Sequence, residues 1–196
     1  MKKRDFLGMA AAGAGTVAVA GVHAAPGKPS RRGPVLLTVT GALARSNRGA
    51  FEPSRDILMG KHKLSFKQAY GFDYAALAAM PAATIKPTLE YDARVHTLQG
   101  PLLAEVLVRA GAPSSGSTRV VLRAIDGYSA LLTLDQIRKE GFIVATHMDG
   151  EALALGGLGP LWALPDADRV AQRAALKLAD RFAGCPWALY HIDVLA

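Results

Sequence analysis

Short apolar runs, each cut by tight-turn residues, constrain this chain more than anything else in it. Val35-Leu36-Leu37-Thr38-Val39-Thr40 is rich in β-branched residues and closed by Gly41, which is a strand signature. Residues 118–125 and 128–132 repeat it on either side of Asp126-Gly127, a dipeptide that favours a hairpin turn. Residues 142–148 read as a buried strand before Asp149-Gly150, residues 161–164 as an extended run stopped by Pro165, and residues 187–195 as the last strand. Residues 64–69 and 84–91 are weaker extended segments, and Pro87 confines the second to an edge or bulge. Residues 45–60 are polar, carry Gly and Pro, and read as irregular.

Helical periodicity is scarcer. Asp73 is placed to cap a helix over 74–80 that Pro81 stops. Gly100-Pro101 opens a helix whose apolar stripe is Leu102, Leu103, Val106 and Leu107, ended by Gly111. Residues 135–140 form a short helical turn. Residues 166–182 predict an amphipathic helix with Val170, Ala174, Leu178 and Phe182 on one face. Strands outnumber helices, so the expected fold is α+β: one mixed domain with mostly antiparallel pairing.

The first residues read as an address. Lys3-Arg4-Asp5-Phe6-Leu7-Gly8 precedes a Gly/Ala-rich apolar run, and His23-Ala24-Ala25-Pro26 supplies a small-residue cleavage site. That order is a secretory signal peptide over 1–24. Its charged end resembles the twin-arginine pattern Arg-Arg-x-Phe-Leu-Lys, with Lys3 in the first arginine position and Gly8 in the last. A Sec signal is the alternative. A Pro/Gly-rich leader over 25–33 then precedes the domain at 34–196. The expectation is an exported or periplasmic protein with no stable membrane span once the signal is removed. Of the formal charge of +7, most comes from Lys2, Lys3, Arg4, Lys28, Arg31 and Arg32, all before Gly33. The body is nearly balanced, and aromatic residues are only 7% of the chain, which argues against a nucleic-acid partner. Cys185 is the one cysteine, and no histidine pair has the spacing of a helical metal site. No metal ligand set is read from the sequence.

Six segments in order carry a resemblance. They are Val39-Thr40-Gly41, the run from Phe72 to Pro81, the run from Gly100 to Leu107 with Gly111-Ala112, Ala124-Ile125-Asp126-Gly127-Tyr128, the run from Ala145 to Leu153, and Gly159-Pro160-Leu161-Trp162-Ala163-Leu164-Pro165. Together they resemble the molybdopterin-binding domain of the sulfite-oxidase fold, most closely its short, exported bacterial members. The resemblance implies a molybdopterin cofactor and a redox activity. Catalytic members hold molybdenum through one cysteine, in the stretch matching residues 86–99, which here has none. Thr88 or Glu90 would be a hard oxygen substitute for a soft sulfur. Leu161 and Trp162 stand where the family often has an arginine. Gly184-Cys185-Pro186-Trp187 stands where it often has Lys and Ser on the cofactor phosphate.

Two functions follow. One is an exported molybdopterin-dependent oxidoreductase, with catalytic residues unknown. The other is a non-catalytic periplasmic module, sensory or accessory, that binds a small anionic ligand or a protein partner and has no cofactor. Asp126, Tyr128, Gly159 and Pro160 are the cofactor-binding candidates under the resemblance. Arg94, His96 and Trp162 are the ligand-pocket candidates. Cys185 reads as a small buried hydrophobe, Tyr91 as core, Glu90 and Asp92 as surface partners of Arg94, and the Trp162 and Trp187 rings as partial filling of the cofactor space.

Overall fold

The computed structural model describes residues 33–195. The expected signal peptide and all of the leader but Gly33 lie outside the described residues. The central sheet has five strands in the order β2-β1-β11-β5-β6. These are β1 (Val35–Gly41), β2 (Tyr70–Asp73), β5 (Arg119–Ala124), β6 (Ser129–Thr133) and β11 (Leu189–Leu195). Only β1 and β11 run parallel, with Thr38 opposite His191 and Gly41 opposite Val194. The other pairs are antiparallel. A second sheet orders β3 (Ala82–Ile85), β4 (Leu98–Pro101), β8 (His147–Met148) and β9 (Glu151–Ala152), and β7 (Ile143–Ala145) pairs with β10 (Trp162–Leu164). The mixed, mostly antiparallel α+β expectation holds.

Alternation along the strands gives the central sheet two different faces. Leu37, Val39, Val120, Leu122, Ile192 and Val194 join one apolar core with Leu103, Val106 and Leu107 of α3 (Leu103–Ala110) and with Leu134 and Ile137 of α4 (Leu134–Glu140). The opposite face is polar. Thr38 accepts from Arg48, which also pairs with Asp56. Thr40 meets His191 Nε2 at 2.9 Å and donates to Asp193 at 3.1 Å. Burial drives the His191 pKa down to about 3, so its imidazole is neutral at physiological pH.

Local signals account for several boundaries. The Asp73 carboxylate accepts from Ala76 N at 2.7 Å and caps α2 (Tyr74–Ala78). Thr133 and Gln136 form a reciprocal capping box on α4. α3 ends at Gly111 in the left-handed conformation.

Elsewhere the structure corrects the periodicity. The helix expected from Gly100-Pro101 starts later. Those two residues finish β4, and Leu102 is 39% exposed while Ala110 takes the inner position. Residues 64–69 contribute an isolated bridge at Ala69 rather than a strand, and α1 (Ile57–Lys61) lies in the stretch read as irregular. Thr146 interrupts the strand expected over 142–148, separating β7 from β8. The amphipathic helix over 166–182 is reduced to α5 (Ala171–Ala174) and one short turn at Leu178–Asp180. Arginine side chains explain this. Arg173 donates to the carbonyls of Arg181 and Ala183, and Arg181 to those of Ala174 and Leu176. Of these, the Ala174 and Leu176 carbonyls are ones that a helix over 166–182 would have paired internally. Of the expected face, only Phe182 is buried.

The sheets meet where β4 crosses β7. A Cβ on Gly100 would lie 1.9 Å from the Val144 carbonyl oxygen. We predict that Gly100→Ala destabilises the domain by about 3 kcal/mol or more. Gly49→Ala, which meets nothing within 4 Å, should stay within about 0.5 kcal/mol of the parent. Chemical denaturation of the two variants checks both.

Candidate functional site

A cleft of about 200 Å³ opens where three segments converge over Trp162. The loop over 86–97 presents Glu90 and Tyr91. It is folded on itself by a Thr88–Val95 bridge and by Leu89 N donating to Arg94 O at 2.8 Å. The β5–β6 turn presents Asp126 and Tyr128, whose backbone N–H donates to the Asp126 carboxylate at 2.8 Å. The approach to β11 presents Cys185 and Trp187. Gly184 N donates to the Tyr128 hydroxyl at 3.1 Å, joining the second wall to the third. The Trp162 indole donates to Cys185 O at 3.0 Å and fixes the third wall to the core.

The 86–97 loop is fastened on both flanks. Asp168 accepts from the Thr88 amide and hydroxyl at 2.7 Å each, and pairs with Arg181 at 2.7 Å. Burial works against the Asp168 charge, yet the bonds from Thr88 and Arg181 hold its carboxyl below the ordinary 3.8. On the other flank His96 meets Asp149 at 2.6 Å and Asp92 at 3.0 Å, and Asp149 also accepts from Thr97 N at 2.8 Å. The bond to Asp149, then that to Asp92, raises the His96 pKa above its ordinary 6.5. The same bonds from His96 lower both aspartates from 3.8.

The cleft is acidic and aromatic. Two carboxylates, Glu90 and Asp126, line it, and no lysine or arginine does. Burial, then the adjacent Glu90 charge, pushes the Tyr91 phenol above 10.0. Burial pushes the Cys185 thiol up to about 12. Arg173 opposes that shift from 3.6 Å, but is itself paired with Glu140 at 2.6 Å.

Of the residues singled out in the sequence, the structure brings Asp126, Tyr128 and Trp162 together in this cleft. Gly159 lies elsewhere, packed so closely on Leu153 that a Cβ would meet its carbonyl at 2.4 Å. Pro160 lines a separate depression with Tyr190 and Leu155. Arg94 and His96 do not line the cleft. His96 is engaged by two aspartates and Arg94 meets Asp92 through its backbone N–H, so His96 fastens the loop. Glu90 and Tyr91 are corrections too. Glu90 faces the cleft rather than Arg94, and Tyr91 is 58% exposed rather than core. Trp187 is 40% exposed at the rim, and Trp162 is buried beneath it. Ala93 takes the left-handed conformation, φ 57°, within the loop that presents Glu90 and Tyr91 to the cleft, and no spacing along the chain announces that. Among the described residues no group of three or more His, Cys, Asp or Glu side chains is arranged to hold a metal ion. No helix among them is long and apolar enough to cross a membrane.

No protein-family model matches the chain, and no curated protein matches it. A solved structure does: the sulfane dehydrogenase SoxCD from Paracoccus pantotrophus, at 11% identity and a TM-score of 0.50. The match covers 81% of this chain and 37% of that one. The likeness is one of fold, and it agrees with the mixed, mostly antiparallel α+β fold expected from the segment order.

Two measurements check the chemistry of these walls. A thiol near 12 rather than 9.0 has about a thousandfold less thiolate. Cys185 should therefore resist iodoacetamide at pH 8 in the native protein and react at least about a hundredfold faster in urea. The His96 latch is complete below pH 6.5 and is lost as pH rises through the higher folded value. On the acid side it holds above 3.8 and is lost as pH falls through the lowered aspartate values. Proton NMR should show the His96 ring titrating above 6.5, and Asp149→Asn should bring it down.

Proposed function

We propose that this chain is an exported small-ligand-binding module on a sulfite-oxidase-type fold, with the Trp162 cleft as its binding site, and not a molybdenum oxidoreductase. The carrying observation is the donor set of the cleft. Its only sulfur belongs to Cys185, 5% exposed and held in the third wall, not in the 86–97 loop where the resemblance places the ligating cysteine. The loop that would carry the ligating cysteine offers Thr88, whose hydroxyl already donates to Asp168, and Glu90, a hard oxygen. A cofactor phosphate would meet Glu90 and Asp126 with no cation in the lining, against the usual pairing of phosphate with Arg or Lys. The cleft, at about 200 Å³, is below the roughly 300–1,000 Å³ of sites for larger ligands. The residues present do not fit molybdopterin. The twin-arginine-like pattern at Lys3-Arg4 and the apolar run behind it support export.

The test is metal analysis and thermal unfolding of protein purified from a molybdenum-replete host and from one unable to make molybdopterin. Molybdenum far below one atom per chain, with one cooperative transition at the same midpoint in both preparations, is the expected result. One molybdenum per chain, or a molten chain rescued by the cofactor, restores the oxidoreductase reading.

A further inference from the structure

Four aromatic side chains are exposed among the described residues, and three of them, Tyr91, Tyr128 and Trp187, line this one cleft. The fourth, Tyr74, is bonded to His147 at 2.8 Å. Exposed aromatics have no reason to gather at one place through folding alone, since each could have been placed in the core or replaced by a polar residue. They come from three separate segments, and each segment is fastened: the loop by Asp168 and the His96 latch, the turn by Tyr128 to Gly184, the third wall by Trp162. The rings are therefore positioned before any ligand arrives.

The charge of the cleft selects among ligands. An anion would meet the Glu90 and Asp126 carboxylates with no cation in the lining to offset them. Arg173, behind Cys185, is neutralised by Glu140. An uncharged ligand would take both carboxylates partly out of water without compensation. A cation neutralises them, and the electron-rich faces of Trp and Tyr attract it as well. Size narrows the class further. About 200 Å³ is the liquid volume of roughly seven waters, which suits a compact alkylated ammonium group.

Resting on the ligand-module reading above, we infer that the cleft binds a small organic cation, a tertiary or quaternary alkylammonium, between the Glu90 and Asp126 carboxylates and the rings of Tyr91, Tyr128 and Trp187. Recognition by aromatic faces explains why the rings are kept at the surface. The carboxylates set the sign of the ligand, and Trp187, at the rim, covers it.

The chain has two tryptophans, so its indole N–H signals in proton–nitrogen NMR report the cleft directly, with Trp187→Phe assigning them. The full chain is titrated at constant ionic strength with tetramethylammonium, with tert-butanol as an uncharged near-isostere, and with inorganic phosphate. Tetramethylammonium should move the Trp187 signal saturably and bind at least tenfold tighter than tert-butanol, and phosphate should not compete. Glu90→Gln and Asp126→Asn should each weaken it severalfold and the double variant at least tenfold, with the thermal transition of each variant retained. Equal binding of tert-butanol, binding of phosphate instead, full affinity in the double variant, or no saturable response to any probe would each overturn the cation assignment. The molybdenum measurement separates the two levels. A molybdenum-free protein that ignores tetramethylammonium removes this inference alone, whereas one molybdenum per chain removes the ligand-module reading beneath it.

Discussion

Strand β11 is hydrogen-bonded along both edges, in parallel to β1 and antiparallel to β5, and the rest of the molecule hangs on that insertion. Its Ile192 and Val194 complete the apolar core, while His191 and Asp193 meet Thr40 on the polar face. Its approach is also the third wall of the cleft. Ala188 N donates to Leu158 O and Leu189 N to Leu161 O, so the strand that closes the sheet also fixes where Cys185 and Trp187 stand. Sheet closure and cleft geometry are one event, not two.

That coupling explains what could be read from the chain and what could not. Strand β1, the Asp126-Gly127 hairpin and the Asp73 cap were legible because each is set by neighbours within a few residues. The 166–182 helix does not form although its apolar spacing is real, because Arg181 takes the Ala174 and Leu176 carbonyls that the helix would have paired. Pro101 was misplaced because it suits the end of a strand beside an open edge as well as a first helical turn. In the site, Asp126, Tyr128 and Trp162 were found through the turn and the segment order. Glu90 and Tyr91 are misplaced by the sequence because the loop that carries them is held at Thr88 and Thr97 by Asp168 and Asp149, about 50 to 80 positions away.

A scaffold and its site obey different constraints. The scaffold needs strands of a given length, a buried stripe on α3 and close approach at Gly100. The site needs particular donors at particular places. Here the donors are carboxylates, phenols and indoles, with the lone thiol sealed into the wall.

The parallel β1·β11 pair has one further consequence. Its partners are 153 positions apart, as Thr40 and Asp193 are, so they are the first and last strands of the central sheet. A pull on the N-terminal end of β1 against the C-terminal end of β11 runs along the strands in opposite directions. It shears the ladder from Thr38–His191 to Gly41–Val194 and loads those bonds together instead of peeling them one by one. Tension applied from the ends thus meets the structure at its most resistant joint, and the domain should behave under force as a stiff link, yielding in one step.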